Sequence, residues 1–319
     1  MPLSPKRLLP RRLPPGLLSL VMRFTTKPRL ARIMSPMPMR RGLDRAAAHL
    51  FRDPPDAVFD RVSLPGPAGA IPATWARTAA VAAPDGTAAI LYLHGGAYLA
   101  GSARTHRHVA AALAAEAGMP ALLPDYRLAP EHRLPAALAD ARAAWNWLLR
   151  QGYAPGSIAF AGDSAGGGLV FALLADLTAD RVALPGAVVA FSPWVDMRGK
   201  ATSLDANAEI DAMLPAGRLD DVVRFCLGED GDRTDWRVSP VLARYDRPPP
   251  AMIFASMDEI LLDDAIAMEE RLRRAGSDPV LELRQRLPHA WVIFRGYLKA
   301  ADEAIARAGR FIAAACQGR

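Results

Sequence analysis

The sequence predicts an α/β fold built on a mostly parallel, doubly wound sheet, and three observations lead to it. Between Ala88 and Phe191 short apolar runs alternate with helix-length amphipathic stretches joined by short connections. The run Ala88–Leu93 is apolar throughout, as expected of a strand buried on both faces. After a polar interruption, the same rhythm resumes at Ala251 and continues almost to the end of the chain.

Taken in order, residues 1–50 read as helical fragments broken by prolines, the best amphipathic piece being Leu43–Phe51. Phe59–Leu64 and Ile71–Ala76 alternate apolar and polar residues around a Pro/Gly turn, which predicts an antiparallel pair at a sheet edge. The alternation then gives a strand at Ala88–Leu93, a helix near His108–Ala117, a strand at Pro120–Pro124 and a helix at Ala136–Arg150. It continues with a strand at Ser157–Ala161, a helix from Ala165 and a strand at Ala187–Phe191. The Asp-rich stretch Gly199–Arg247 reads as an inserted helical excursion. Strand Ala251–Ser256, helix Asp263–Ala275, strand Val280–Leu283 and helix Lys299–Ala315 complete the chain. The expected organisation is therefore a helical arm over 1–50, a core over 51–198 and 248–319, and an insertion over 199–247.

With 319 residues, of which 51% are apolar, the chain can bury a substantial core, and its prolines and glycines are spread without tracts or repeats. Cys226 and Cys316 lie far apart and outside any CxxC spacing, which points to neither a disulfide framework nor a zinc site and makes a reducing compartment the default. The net charge of +6 is uneven: residues 1–45 carry eleven Lys/Arg against Asp44 alone, leaving 28 basic and 32 acidic residues elsewhere. The simpler reading of this arm is a solvated face of short helices, and the alternative is contact with anionic lipid. Its only early apolar run, Leu17 to Met22, is too short for a signal segment or a membrane span, so a cytoplasmic protein is expected. Phe24 is the arm's one aromatic residue and no binding module is recognisable, which speaks against nucleic acid.

The chemistry centres on Gly162-Asp163-Ser164-Ala165-Gly166, a GxSxG sequence that follows a predicted strand and opens a predicted helix. A serine on such a turn is exposed at the carboxyl edge of the sheet, and a helix N-terminus beside it favours developing negative charge. Seventy residues earlier stands His94-Gly95-Gly96-Ala97, directly after the buried strand. Acyl transfer passes through an oxyanion that needs closely approaching N–H donors; Gly95, Gly96 or Ala97 can supply them, with the amide of Ala165. A serine hydroxyl also needs a base. His94 belongs to the glycine turn, His49, His106, His108 and His132 precede the serine, and only His289 follows it. Because strand–serine–helix hydrolases order their triad as serine, acid, histidine, His289 is the expected base. The acid should follow the strand Ala251–Ser256, where Asp258, Glu259, Asp263 and Asp264 are all available. Trp194 and Trp291 are candidates for lining the substrate site, with ordinary core as the alternative.

These motifs, with Asp125-Tyr126-Arg127-Leu128-Ala129-Pro130-Glu131, Ser192-Pro193-Trp194-Val195-Asp196, Ser239-Pro240-Val241 and the segment Asp258 to Asp264, resemble the bacterial hormone-sensitive-lipase-like esterases of the α/β-hydrolase superfamily over nearly the whole chain. The resemblance implies an eight-stranded, mostly parallel sheet and a helical cap made from the N-terminal arm and the excursion after Trp194. It also implies structural roles for Asp125-Tyr126-Arg127 and Asp196. Two positions depart from the family pattern. Ala97 stands where many relatives have a third glycine. The acid is usually the Asp of an Asp-Pro-Leu sequence about thirty residues before the histidine, and here Glu259-Ile260-Leu261 occupies that place. Glu259 is thus the expected acid, with Asp258 and then Asp263 as fallbacks.

The expected activity is hydrolysis of short- to medium-chain carboxylic esters through an acyl-enzyme, with no metal or organic cofactor implied and a small-molecule ester as partner. A lactone, amide or other small ester is the alternative substrate, and a non-catalytic ligand-binding relative is the alternative class. Dimerisation is common in the family, so a homodimer is one expected arrangement.

Overall fold

A computed structural model describes residues 12–32 and 35–317. Residues 1–11 of the predicted arm, with Lys6, Arg7 and Arg11, lie outside the described residues, as do 33, 34, 318 and 319. Eight strands form one sheet in the order β1-β2-β4-β3-β5-β6-β7-β8. Strands β1 (Ala57–Gly66) and β2 (Gly69–Thr78) are antiparallel and occupy one edge, as their alternation predicts. Strand β2 also runs antiparallel to β4 (Ala121–Pro124). The rest, β3 (Ala89–Leu93), β5 (Ile158–Asp163), β6 (Ala187–Phe191), β7 (Ala251–Ser256) and β8 (Val280–Arg284), pair in parallel.

The central strands are buried at every position, and apolar except at the Asp163 and Ser256 ends, because each face packs a separate layer. Leu91, Leu93, Phe160, Val188 and Ile253 point to one layer, which includes α4 (Ala136–Arg150), α5 (Ala165–Ala179) and α8 (Leu262–Arg274). Their strand neighbours Tyr92, Ala161, Val189 and Phe254 point to the other, which includes α3 (Ala103–Ala117) and α9 (Lys299–Gln317). Successive side chains alternate across a strand, so a sheet covered on both sides shows no polar alternation at all.

The helical regions differ from expectation mainly at their starts. Helix α3 begins five residues before His108, because the Ser102 Oγ accepts from the Thr105 amide while the Thr105 Oγ1 accepts from the Ser102 amide, a capping box that closes its first turn. The described prolines of the arm open helices more than they break them. Pro15 and Pro36 stand in the first turns of α1 (Pro15–Ala31) and α2 (Pro36–His49), where a missing N–H costs nothing, and among the described residues of the arm only Pro28 lies in a helix interior. The excursion 199–247 contains α6 (Thr202–Ala206), α7 (Leu219–Leu227) and two single 3-10 turns, Ala216–Arg218 and Pro240–Leu242, joined by turns and irregular chain.

Register places the chemistry. Leu93 lies opposite Gly162, Asp163 opposite Phe191, and Phe191 opposite Phe254. The carboxyl ends of β3, β5, β6 and β7 are therefore flush, and the segments that follow them share one rim of the sheet. Behind that rim, the buried Asp264 carboxylate accepts from the amides of Val195 and Asp196 at 2.8 and 2.9 Å, tying the loop after β6 to the start of α8.

Packing along α5 is tight enough to reverse the usual effect of a helical glycine. A Cβ on Gly168 would lie 2.0 Å from the backbone oxygen of Trp194, whereas one on Gly42 of α2 would meet nothing within 4 Å. Alanine in place of an unhindered helical glycine gains roughly 0.5–1 kcal/mol, while overpacking against unyielding atoms costs roughly 1–3 kcal/mol. Urea unfolding should therefore rank the proteins Gly42→Ala above wild type and Gly168→Ala below it. Equal stability of the two variants would contradict the packing described.

Candidate active site

Ser164 sits at the top of β5 with φ 53° and ψ −124°, a conformation that costs a non-glycine residue about 1–3 kcal/mol. Its own backbone is pinned on both sides: its amide donates to the Phe191 carbonyl at 2.8 Å, and its carbonyl accepts from Gly168 and Trp194, each at 3.0 Å. The turn is closed by absence of side chains. A Cβ on Gly166 would lie 2.1 Å from the Leu93 oxygen and 2.5 Å from the His94 oxygen. Ser164 is half-buried although Asp163 and Ala165 on either side of it are buried, so the strained turn lifts this one residue to the rim.

The loop after β8 brings His289 over the turn, with Nε2 at 2.8 Å from the Ser164 Oγ. On its other side Nδ1 lies 2.5 Å from Oε2 of Glu259, which is itself buried. The second carboxylate oxygen, Oε1, accepts from the Ser256 amide at 2.8 Å. Both loops are held by short polar contacts. The Ser256 hydroxyl donates to the Leu287 carbonyl at 2.7 Å, and the Ser192 hydroxyl accepts from the Ala290 amide at 3.0 Å. Burial pulls the His289 imidazolium down, and the hydrogen bond and charge of Glu259 more than reverse this, leaving its pKa above the ordinary histidine value.

The other three acids face elsewhere. Asp258 accepts from the Arg286 amide, Asp263 from the Ser203 amide, and Asp264 from Val195 and Asp196. Among the four residues that chemistry leaves open, the imidazole is met by Glu259, and the fallbacks Asp258 and Asp263 are each occupied by a backbone N–H.

The segment after β3 turns through Gly96 (φ 120°) and Ala97 (φ 57°), so the position where a third glycine is common adopts a left-handed backbone with an alanine. Gly96 and Ala97 are half-buried beside the cleft. Among the described residues, the amides of Gly96, Ala97 and Ala165 have no hydrogen-bond acceptor. Gly95 differs from expectation. It is buried, and its amide donates to Oδ1 of Asp163 at 3.1 Å, which removes it from the set of free donors. Asp163, the variable residue of the GxSxG turn, also accepts from the Tyr92 hydroxyl at 2.8 Å and lies 3.4 Å from the His106 Nε2. Burial raises its pKa, but the neighbouring His106 and the Tyr92 hydrogen bond outweigh burial and keep it below the usual carboxylate range. His94 is stacked on Tyr126 at 4.2 Å, and burial followed by the charge of His106 lowers its pKa to about 3, so it stays neutral.

Comparison with known proteins gives the family. Residues 90–293 match the model of a family described by the alpha/beta hydrolase fold. A crystal structure of an esterase from the bacterial hormone-sensitive lipase family superposes with a TM-score of 0.86 at 35% identity, covering 96% of this chain and 99% of that one. The chain belongs to the bacterial hormone-sensitive-lipase family of α/β-hydrolases. The chain is also similar to an acetyl-hydrolase of Streptomyces hygroscopicus, 37% identical over 70% of this chain and 74% of the relative. The carboxylesterase/phospholipase LipF of Mycobacterium tuberculosis is 31% identical over 93% of this chain and 80% of its own length.

Two aromatic residues expected at the substrate site of this α/β-hydrolase are elsewhere. Trp291 is fully buried in the layer beneath α9. Trp194 is 4% exposed and packs behind the serine turn against Tyr98, its indole N–H donating to the Asp196 carbonyl. Each follows a site residue in sequence, but their bulk satisfies the core instead of the cleft.

Sequence reasoning also passed over the residues that brace the acid loop of this hydrolase from the excursion. The Asn207 amide group donates to the carbonyls of Met257 and Glu259 at 3.0 and 2.9 Å, and Oδ2 of the buried Asp211 accepts from the Ile260 amide at 2.9 Å. Nothing local in a polar, Asp-rich stretch signals such long-range partners. Among the described residues no helix is long and apolar enough to cross a membrane. Asn207→Ala should lower unfolding free energy by about 1–3 kcal/mol, since two backbone acceptors lose their donor, and a denaturant midpoint equal to wild type would show that the brace is idle.

Proposed function

We propose that Ser164, His289 and Glu259 act as the catalytic triad of a carboxylic ester hydrolase working through an acyl-enzyme. The observation that carries this reading is the pair of contacts on one imidazole, 2.8 Å to the serine oxygen and 2.5 Å to the glutamate oxygen. In the first step the Ser164 Oγ attacks the ester carbonyl carbon while His289 Nε2 takes its proton, and Glu259 orients the ring and stabilises the imidazolium. The amides of Gly96, Ala97 and Ala165 supply the oxyanion donors in this proposal, helped by the N-terminus of α5. His289 then protonates the departing alcohol, activates a water against the acyl-enzyme, and returns the proton to Ser164 as the acid leaves.

The proposed substrates are short- to medium-chain esters, in keeping with the acetyl-hydrolase among its relatives. The cap consists of α1, α2 and residues 199–247. In support, Lys27 of α1 donates to the carbonyls of Ala208 and Asp211, and Arg40 of α2 donates to the carbonyls of Leu99 and Ala129. On the insertion, Cys226 of α7 donates its thiol to the Ala97 carbonyl at 3.3 Å. The two halves thus meet the oxyanion turn and the acid loop.

Ser164→Ala should fold and lose turnover of short p-nitrophenyl esters by roughly 10³-fold or more, together with labelling by a fluorophosphonate. Wild-type turnover in that variant would remove Ser164 from the mechanism. The acid has its own signature in the pH profile. His289 must be neutral to accept the proton and its pKa is raised by Glu259, so kcat/KM should climb with pH through a value above the ordinary histidine range. In Glu259→Gln that acid limb should move to lower pH while the plateau falls about 10²- to 10⁴-fold. A lowered plateau with an unmoved limb would place the activating charge elsewhere.

A further inference from the structure

Helix α1 is apolar on the wrong side as well as the right one. Met22 is buried and Leu18 packs against the core, as a covering helix requires. On the opposite side Leu17, Leu20, Val21 and Phe24 are 47, 53, 49 and 72% exposed. Their spacing of i, i+3, i+4 and i+7 places them on one continuous stripe of about 100° facing solvent. Polar residues between the stripe positions tie the helix to two other segments that carry exposed apolar residues of their own. Arg23 donates to the Glu209 carbonyl, beside the 47% exposed Ile210. Ser19 donates to the Arg286 carbonyl, and Arg286 donates to Asp258, beside the 39% exposed Met257. Four of the twelve large exposed apolar side chains of the described residues therefore lie on one face of this helix, a clustering that marks an interaction surface.

Charge identifies what covers it. Residues 12–45 hold eight Lys/Arg and one acid, Asp44. Of these cations Arg12, Arg29, Arg32, Arg41 and Arg45 are exposed. A two-fold contact through this patch would set the cationic segment against its own copy, and like charges facing one another oppose such a contact. An anionic lipid surface supplies both complements at once, an acyl region for the stripe and headgroup charge for the arginines. We propose that α1 is an interfacial helix that seats this hydrolase on anionic membranes, with Leu17, Leu20, Val21 and Phe24 inserted and the surrounding arginines on the headgroups. Helix α1 is bonded to residues 208, 209, 211 and 286, and the Arg286 amide to Asp258, so the seated enzyme holds the flank of its proposed acid loop at the lipid.

The test uses the full chain and sedimentation with phosphatidylcholine vesicles, with and without phosphatidylglycerol, at low and high salt. Wild type should pellet with the anionic vesicles and be released by salt. Leu17→Ser/Leu20→Ser/Val21→Ser/Phe24→Ser should bind about tenfold or more weakly, and Arg29→Glu/Arg32→Glu/Arg41→Glu should lose the preference for phosphatidylglycerol. Failure of wild type to bind anionic vesicles, or wild-type binding by the serine variant, overturns the proposal. So does a wild-type dimer in ultracentrifugation that the serine variant dissociates while vesicle binding is absent, which would make the stripe a self-contact. Turnover of a water-soluble short ester, measured on each protein in parallel, reports the hydrolase reading separately, because vesicle binding needs no intact triad.

Discussion

The site depends on the contact between the ends of β3 and β5. Gly166, in the first turn of α5, comes so close to the Leu93 and His94 carbonyls that no side chain fits between them. That contact forces the chain leaving β5 through a left-handed residue, and Ser164 is the residue that bears it. The same contact sets the height of the His94-Gly95-Gly96-Ala97 turn against the serine. Strain at the serine and placement of the free amides therefore have one cause. The energy to hold them comes from two filled apolar layers on either side of the sheet, which a small local rearrangement cannot relax.

Much of this was legible in the sequence because it rests on local, repeated patterns. The continuous apolar strands, the length of α4 and the antiparallel edge pair all follow from periodicity, and the order serine, acid, histidine identifies His289. What escaped depends on contacts across the fold. The early start of α3 rests on the Ser102 and Thr105 pair, two small side chains with no apolar pattern to advertise them. The prolines of the arm look like breaks until their position in the first helical turn is known. Gly95 resembles a free donor in sequence, but Asp163, sixty-eight residues later, takes its amide. Trp194 and Trp291 lie close in sequence to site residues while their rings turn into the core, since strand and turn direction decide which face a side chain takes.

The choice of glutamate is coupled to the excursion. Counting positions leads to Glu259, but a side chain one methylene longer than aspartate reaches the imidazole only if its loop stands at the right height. Ser256 holds one carboxylate oxygen, and Asn207 and Asp211 hold the loop backbone from a segment some fifty residues earlier. The excursion is therefore tied to the loop that carries Glu259. A change in the insertion that shifts Asn207 would be felt at the imidazole, through two backbone carbonyls and no direct contact.

Two buried carboxylates flank the serine, and their environments separate their tasks. Glu259 shares its oxygens between the imidazole and one amide, so in the proposed mechanism its charge bears on the group that would become cationic when the serine is deprotonated. Asp163 turns away from the cleft toward Tyr92, His106 and the Gly95 amide. A negative charge so near a developing oxyanion would oppose it, were its oxygens not already occupied by a hydroxyl, an imidazole and a peptide N–H. By accepting from Gly95, Asp163 also fixes the plane of the peptide from which Gly96 and Ala97 follow. Its charge is thereby converted from an opponent of the proposed intermediate into a brace for the donors that would receive it.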